Sequence, residues 1–592
     1  MSFNKYYEDE LSYLRELGKE FADYNPDLGP FLAEPRSDPD VERLLEGFAF
    51  LAGRVRQKID DELPELTHSL IALLWPHYLR PVPSMSILEF NPVVNAIAEG
   101  KVIQRGIEVD SVPVEGTTCR FRTCYDVELY PLQLDRVELM RDGRGCRLKL
   151  QFVLHASASL DKINLKRLRL YLHGEPQISR TVYLWLCRYL QGMTVKAVGG
   201  ESDKDCFRLK CQALQPAGFS EQEALFPYPP NAFLGYRVIQ EYYALPEKFL
   251  FFDVTGLEPL AGFDKNTERF EITFEFNRPI DESIRLKVDN FRLFCTPIIN
   301  LFEQDADPIR VDNTKTEYRI RPAGKTPTHR EIYSIDKVEG WIQGSGKQRN
   351  YKSFESFEHI QDGLNASPSI YFRTRLRPAV VGKGGDTYIS FVGADERHLL
   401  PPTETVSIRL TCSNRNLPEK LRVGDINEKI GSTGSSPEFA QFRNISPVTP
   451  SMNPPMEAGL HWRLISGMAL NYVSLTNIES FRNVLSVYDF RALYDRQAER
   501  MSQLRLDGLT EVRVEPIDLL DRGLPMRGLR THIKMKESNF AGEGDMFLLA
   551  SILNLFLSLY ASINSFHQLV VTGVEHGEVY QWPIRLGQQP II

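Results

Sequence analysis

The residues of this chain that could do chemistry are few, and their spacing argues against most reactions. Residues 340–347 (GWIQGSGK) end in Gly-Lys like a phosphate loop, but one residue too many separates the outer glycines. Gln348 also stands where a magnesium-holding Ser or Thr belongs. Residues 383–386 (KGGD) have the composition of a hairpin turn. Cys119-x4-Cys124 and Cys206-x4-Cys211 offer loose zinc spacing. In a regular strand, however, Cys119 shares parity with Phe121 and Thr123 while Cys124 points to the other face. Two such sulfurs cannot share an ion, and small buried hydrophobes are the reading they support. No histidines are spaced His-x3-His, and no Gly-x-Ser-x-Gly elbow is present. The paired acids Asp60-Asp61 and Asp305/Asp307 fall in polar helix ends or loops, and His77 after Trp75-Pro76 reads as a packed or capping side chain. These residues assign no catalytic role, no cofactor and no metal.

Composition narrows the classes further. The 592 residues carry a formal charge of -8, so bulk electrostatics exclude a nucleic-acid binder. The basic run Lys166–Arg169 alternates with Leu168, Leu170 and Leu172, as the outer face of a strand does. Hydrophobic residues at 42% and charged residues at 25% describe a folded chain large enough for several domains. Eight cysteines in this length are no disulfide scaffold. With no apolar signal core in MSFNKYYEDELSYL, a reduced cytoplasmic protein is expected.

The pattern predicts a multidomain α+β protein. Residues 1–83 read as a helical segment of three helices, with Tyr7, Leu11, Leu14, Leu17 and Phe21 along the first. Asp38 and Pro39 open the second with a cap and a first-turn proline. Val41, Leu44, Leu45, Phe48, Leu51, Ala52, Val55 and Ile59 then recur at helical spacing, with Glu42, Arg43, Glu46, Arg54, Lys58 and Asp61 opposite. Pro64 is expected to end this helix and start the third, which Pro76 halts. Helices so few cannot bury such stripes among themselves.

From residue 84 the period changes to two. CRLKLQFVL (146–154), FEITFEF (270–276) and IRLKV (284–288) predict half-buried strands in a β-rich domain over 84–300, with a helical insertion at 181–190. A second β-rich domain is expected over 301–424, a Gly/Ser/Pro-rich linker over 425–459 and an α+β domain over 460–592. Residues 546–563 (MFLLASILNLFLSLYASI) touch the lower length limit of a membrane span. Asn554, the serines and the absence of Lys/Arg flanks favour a core or interface helix instead.

The N-terminal block, YYEDELSYLRELGKEF, DPDVERLLEGFAFLAGRV, DDELPELT and LLWPHYLRPVPSMSI, resembles the TssF family, baseplate subunits of the bacterial type VI secretion system. The resemblance continues through Asn300-Leu301-Phe302, Glu317-Tyr318-Arg319 and residues 411–418 (TCSNRNLP) to residues 561–566 (ASINSF). It implies a cytoplasmic, non-catalytic structural subunit, recruited as part of the baseplate to the inner-membrane complex. Two TssF copies would join one TssG and, with TssK, form a wedge. Six wedges would surround the VgrG spike hub, with TssE and the contractile sheath attached, and the wedge would dock the sheath and trigger it. Under that reading Val41, Leu44, Leu45, Phe48, Leu51, Val55 and Ile59 meet partner helices, and Phe547, Ile552, Phe556 and Tyr560 serve self-association. The rivals are a membrane-anchored scaffold using 546–563 and an unrecognised hydrolase.

Overall fold

A computed structural model describes the chain apart from residues 1–6, 9, 15, 18–38, 94–95, 143–144, 156–157, 199–204, 229–232, 265–266, 313, 343–347, 355–369, 379–384, 394–403, 428–437, 456–476, 522–523 and 588–592. The end of the first predicted helix with Phe21, part of the GWIQGSGK stretch and much of the 425–459 linker lie outside the described residues. The chain divides into two packing units, residues 1–79 with 455–465 and residues 80–454 with 466–592. The longer helices are numbered α1 Pro39–Leu74, α2 Pro176–Leu184, α3 Leu234–Ala244, α4 Ile478–Val487, α5 Arg496–Gly508 and α6 Glu543–Ser558.

In the first unit, α1 runs 36 residues, about 54 Å at 1.5 Å per residue, and passes through Pro64. The expected break into two helices is therefore corrected. A proline removes one N–H and costs roughly 3 kcal/mol in a helix interior. Glu62, Leu63, Glu65 and Leu66 are strong helix formers that carry the turns on both sides of it. A single 3-10 turn, Pro76–Leu79, follows.

The second unit is built from sheets whose strands pair mainly antiparallel. In one, Met85–Pro92 lies between Cys295–Ile299 and Ala440–Asn444. Part of the predicted linker is thus a paired strand, its alternation of Ala440, Phe442 and Asn444 inward hidden within a Gly/Ser/Pro-rich composition. A second sheet orders Cys206–Leu209, Leu190–Ala197, Arg269–Phe276, Cys146–Leu154 and Leu132–Arg141. The alternating stretch at 284–288 forms no strand. Arg141 donates to the carbonyls of Ile280 and Ile284 at 3.2 and 2.8 Å, so a side chain satisfies what a ladder otherwise would. The basic run falls on the strand Arg167–Leu172, but its arginines are paired rather than solvated. Arg169 meets Asp253 at 2.6 Å and Glu223 at 2.7 Å. An eight-stranded sheet spans residues 302–413 around a core of Val338, Ile389, Val406, Ile408 and Leu410.

The last sheet contains the hairpin Leu509–Asp521/Leu524–Met535, whose second strand pairs in parallel with Phe566–Gly573. Parallel neighbours require a crossover, and α6 supplies it. That explains why α6 is apolar on every side: it packs against α2, α3 and Phe566–Gly573. Among the described residues no helix is long and apolar enough to cross a membrane. The 546–563 stretch instead falls on the 16-residue crossover helix Glu543–Ser558 and the turn after it.

Two polar clusters fasten α6. Asp545, with a side chain 2% exposed, receives Arg180 of α2 at 2.7 Å and Arg505 of α5 at 3.2 Å. Arg278 reaches Glu543 at 3.3 Å and Glu578 at 2.9 Å, while the Tyr189 hydroxyl donates to Glu578 at 2.5 Å. Through these contacts α6 packs directly on residues of the block expected over 84–300.

Candidate docking surface on the N-terminal helix

At 100° per residue, Leu44, Phe48, Leu51 and Val55 of α1 fall within an arc of about 60°. Their exposures are 74%, 60%, 64% and 59%. On another side of the same turns Ala49 and Gly53 are buried, and Leu45 and Ala52 lie half-buried between the two faces. The large apolar side chains are thus turned outward and the small ones inward, the reverse of an ordinary surface helix. Arg43 and Arg54 lie to one side of the stripe as exposed polar groups. Scattered exposed hydrophobes are normal, but a contiguous row marks an interaction surface. The side chains of Val41 and Ile59 lie outside the described residues.

The C-terminal set is placed differently. Phe547 stacks on Trp582 at 5.0 Å, Phe556 meets Tyr236 at 5.7 Å, and Ile552 is fully enclosed. Tyr560 shares a hydrogen bond with the Tyr236 hydroxyl at 2.8 Å. Phe547, Ile552 and Phe556 are buried among this chain's own side chains and Tyr560 is half-buried, so the set is not presented as an exposed face. Apolar periodicity alone does not separate a helix covered by its own chain from one awaiting another. The polar anchors on α6 were missed at the sequence level, although Asp545 stands out as an acid at the head of an apolar run.

Cys119 and Cys124 behave as buried hydrophobes, whereas Cys206 and Cys211 are exposed, so for that second pair the expectation of burial is corrected. Burial pushes the Cys119 thiol up to about 11 and Cys124 up to about 12, which holds both protonated. Among the described residues, Glu537, Glu575 and His576 bring ligand atoms close together. The Glu537 carboxylate is already taken up by the N–H groups of Glu575 and His576, at 2.9 and 3.1 Å.

The class this geometry defines is an assembly subunit: a sheet-rich chain carrying a long helix whose apolar face is turned to solvent. The chain belongs to the TssF family of the type VI secretion system, whose family model matches residues 1–589. It is 32% identical to the type VI secretion system component TssF1 of Pseudomonas aeruginosa, over 99% of both chains. Among solved structures it is similar to a chain of the type VI secretion system TssK-TssF-TssG baseplate subcomplex, with 32% identity and a TM-score of 0.78. That match covers 93% of this chain and 99% of the other. It is also similar to a chain of a type VI secretion baseplate complex, at 30% identity and a TM-score of 0.64 over the full length of both.

Proposed function

We propose that this protein is a non-catalytic structural subunit of a type VI secretion baseplate wedge, and that it assembles by burying the outward face of α1 against helices of TssG. The observation that carries this reading is the exposed row Leu44, Phe48, Leu51, Val55. Burying a large apolar side chain contributes roughly 1.5–3 kcal/mol. The four, already partly covered, would together contribute on the order of 5 kcal/mol, a sizeable share of a stable protein–protein affinity. Val41 and Ile59 extend the row by sequence. Solved relatives in a TssK-TssF-TssG subcomplex and in a whole baseplate support the choice of partners.

In the finer picture, two copies join one TssG and one TssK module. The wedge works in the cytoplasm at the inner-membrane complex, grips the VgrG hub and engages TssE and the sheath. Its mechanism is mechanical: binding energy at α1 holds the wedge together, and rearrangement of the ring releases the sheath. Co-expression with TssG and TssK, followed by mass measurement of the purified particle, tests this. A stable complex holding two copies of this chain per TssG is expected. Recovery of only the lone chain, with both partners folded, would overturn it.

A further inference from the structure

A concentration of like charge lies beside the eight-stranded sheet. A cleft of about 360 Å³ there is lined by Arg319, Arg321, Arg330 and Arg415, with Asp386 as its one carboxylate. The chain as a whole is acidic, and this cleft carries the opposite sign. Arg319 sits on the two-residue strand Tyr318–Arg319, paired to Gly385–Gly393, and donates to Asp386 Oδ1 at 2.6 Å. The other carboxylate oxygen of Asp386 is buried and has no hydrogen-bond partner.

The remaining arginines are positioned but not neutralised. Arg330 donates to the carbonyl of Ala323, lying across Gly324. That glycine has φ +132, and a Cβ there would fall 2.6 Å from the guanidinium, so the arginine's position requires glycine. Arg415 has φ +52, and its buried Nε has no hydrogen-bond partner. Neither Arg321, Arg330 nor Arg415 makes an ion pair among the described residues. The neighbouring cavity that Arg415 also lines holds Glu331, Glu419 and Asp495; of these Glu331 is the most buried, and burial pushes its carboxyl up to about 7, which limits the negative charge it supplies at neutral pH.

Planar guanidinium forks match carboxylates in bidentate geometry. An unsatisfied buried carboxylate oxygen, in turn, calls for an N–H or O–H donor. A ligand that fills this cleft therefore carries anionic oxygens and a donor close together. We propose that the cleft captures an acidic peptide segment of a partner protein, its Asp or Glu carboxylates on Arg321, Arg330 and Arg415 and a backbone N–H on Asp386. A peptide supplies both groups from one short stretch, whereas a free anion such as phosphate supplies mainly acceptors. The choice of a protein ligand rests on the scaffold reading. The test uses the isolated full-length chain and a defined peptide, so its outcome is independent of TssG binding.

The probe is a fluorescein-labelled Glu/Gly peptide, compared with its Gln/Gly analogue and with inorganic phosphate as competitor. Saturable binding of the acidic peptide is expected, weakening as salt rises. The Gln analogue should not bind. Arg321→Glu, a change at an exposed side chain that leaves the fold intact, should weaken binding roughly tenfold or more, the scale of one charge-assisted contact reversed. Arg415→Gln is the second variant, checked by circular dichroism because of its backbone conformation. Failure of the acidic peptide to bind, equal binding of the Gln analogue, unchanged affinity of both variants, or displacement by equimolar phosphate would each overturn the proposal.

Discussion

Leu51→Asp and Phe48→Asp, alone or together, should abolish co-purification with TssG while leaving the melting temperature of the isolated chain nearly unchanged. Both side chains are mostly exposed, so in the free chain the substitution costs only the difference in helix propensity, at most about 0.7 kcal/mol. In a complex the same change removes about 2 kcal/mol of apolar burial and forces a carboxylate into a dry interface, which costs at least as much again. A loss of about 4 kcal/mol is roughly a thousandfold in affinity. Ala49→Asp provides the contrast. Ala49 is fully buried, so this change should lower stability of the chain itself. If Leu51→Asp instead unfolds the chain, or if TssG still co-purifies with it, the exposed row is not the interface.

Asp545→Ala should destabilise the second unit by about 3–5 kcal/mol, the usual effect of removing one partner from a buried ion pair. The change strands the Arg180 and Arg505 guanidiniums, which come from helices 365 and 40 residues away in sequence. It also removes the acceptor for the N–H of Ala541 at 3.3 Å, just before α6 begins. In a unit of about 500 residues the melting temperature should fall by roughly 3–5 °C. Asp545→Asn, which keeps a carbonyl acceptor for one arginine, should cost less. Thermal melts of the three proteins check the order. Indistinguishable melts for wild type and Asp545→Ala would mean that α6 is held by apolar packing alone.

How much of this was legible in the sequence follows the physics of each signal. Strands with one wet face, such as Cys146–Leu154 and Arg269–Phe276, write their burial as period-two alternation and were readable nearly to the residue. Pro64 was misread because proline's local cost was weighed without the helix formers on both sides. The strand Ala440–Asn444 was hidden because five residues of alternation are swamped by flanking Gly, Ser and Pro. The two apolar helices were both legible as helices, yet only one of them presents its stripe to solvent. What decides between them is tertiary: α6 is a parallel crossover packed under α2 and α3, and that connectivity leaves no trace in its own sequence. The arginines that fasten it come from two distant helices and the bend after the strand Arg269–Phe276, and lone arginines in a long chain do not announce a shared partner.

The central claim is that another subunit covers the outward face of α1. Hydrogen–deuterium exchange of the free chain and of its complex with TssG and TssK measures this directly, amide by amide. Slowed exchange concentrated in residues 44–55 on complex formation, with the amides of α6 unchanged, is the predicted result. Equal exchange across 44–55 in the free and bound states, with the complex intact, would contradict the account.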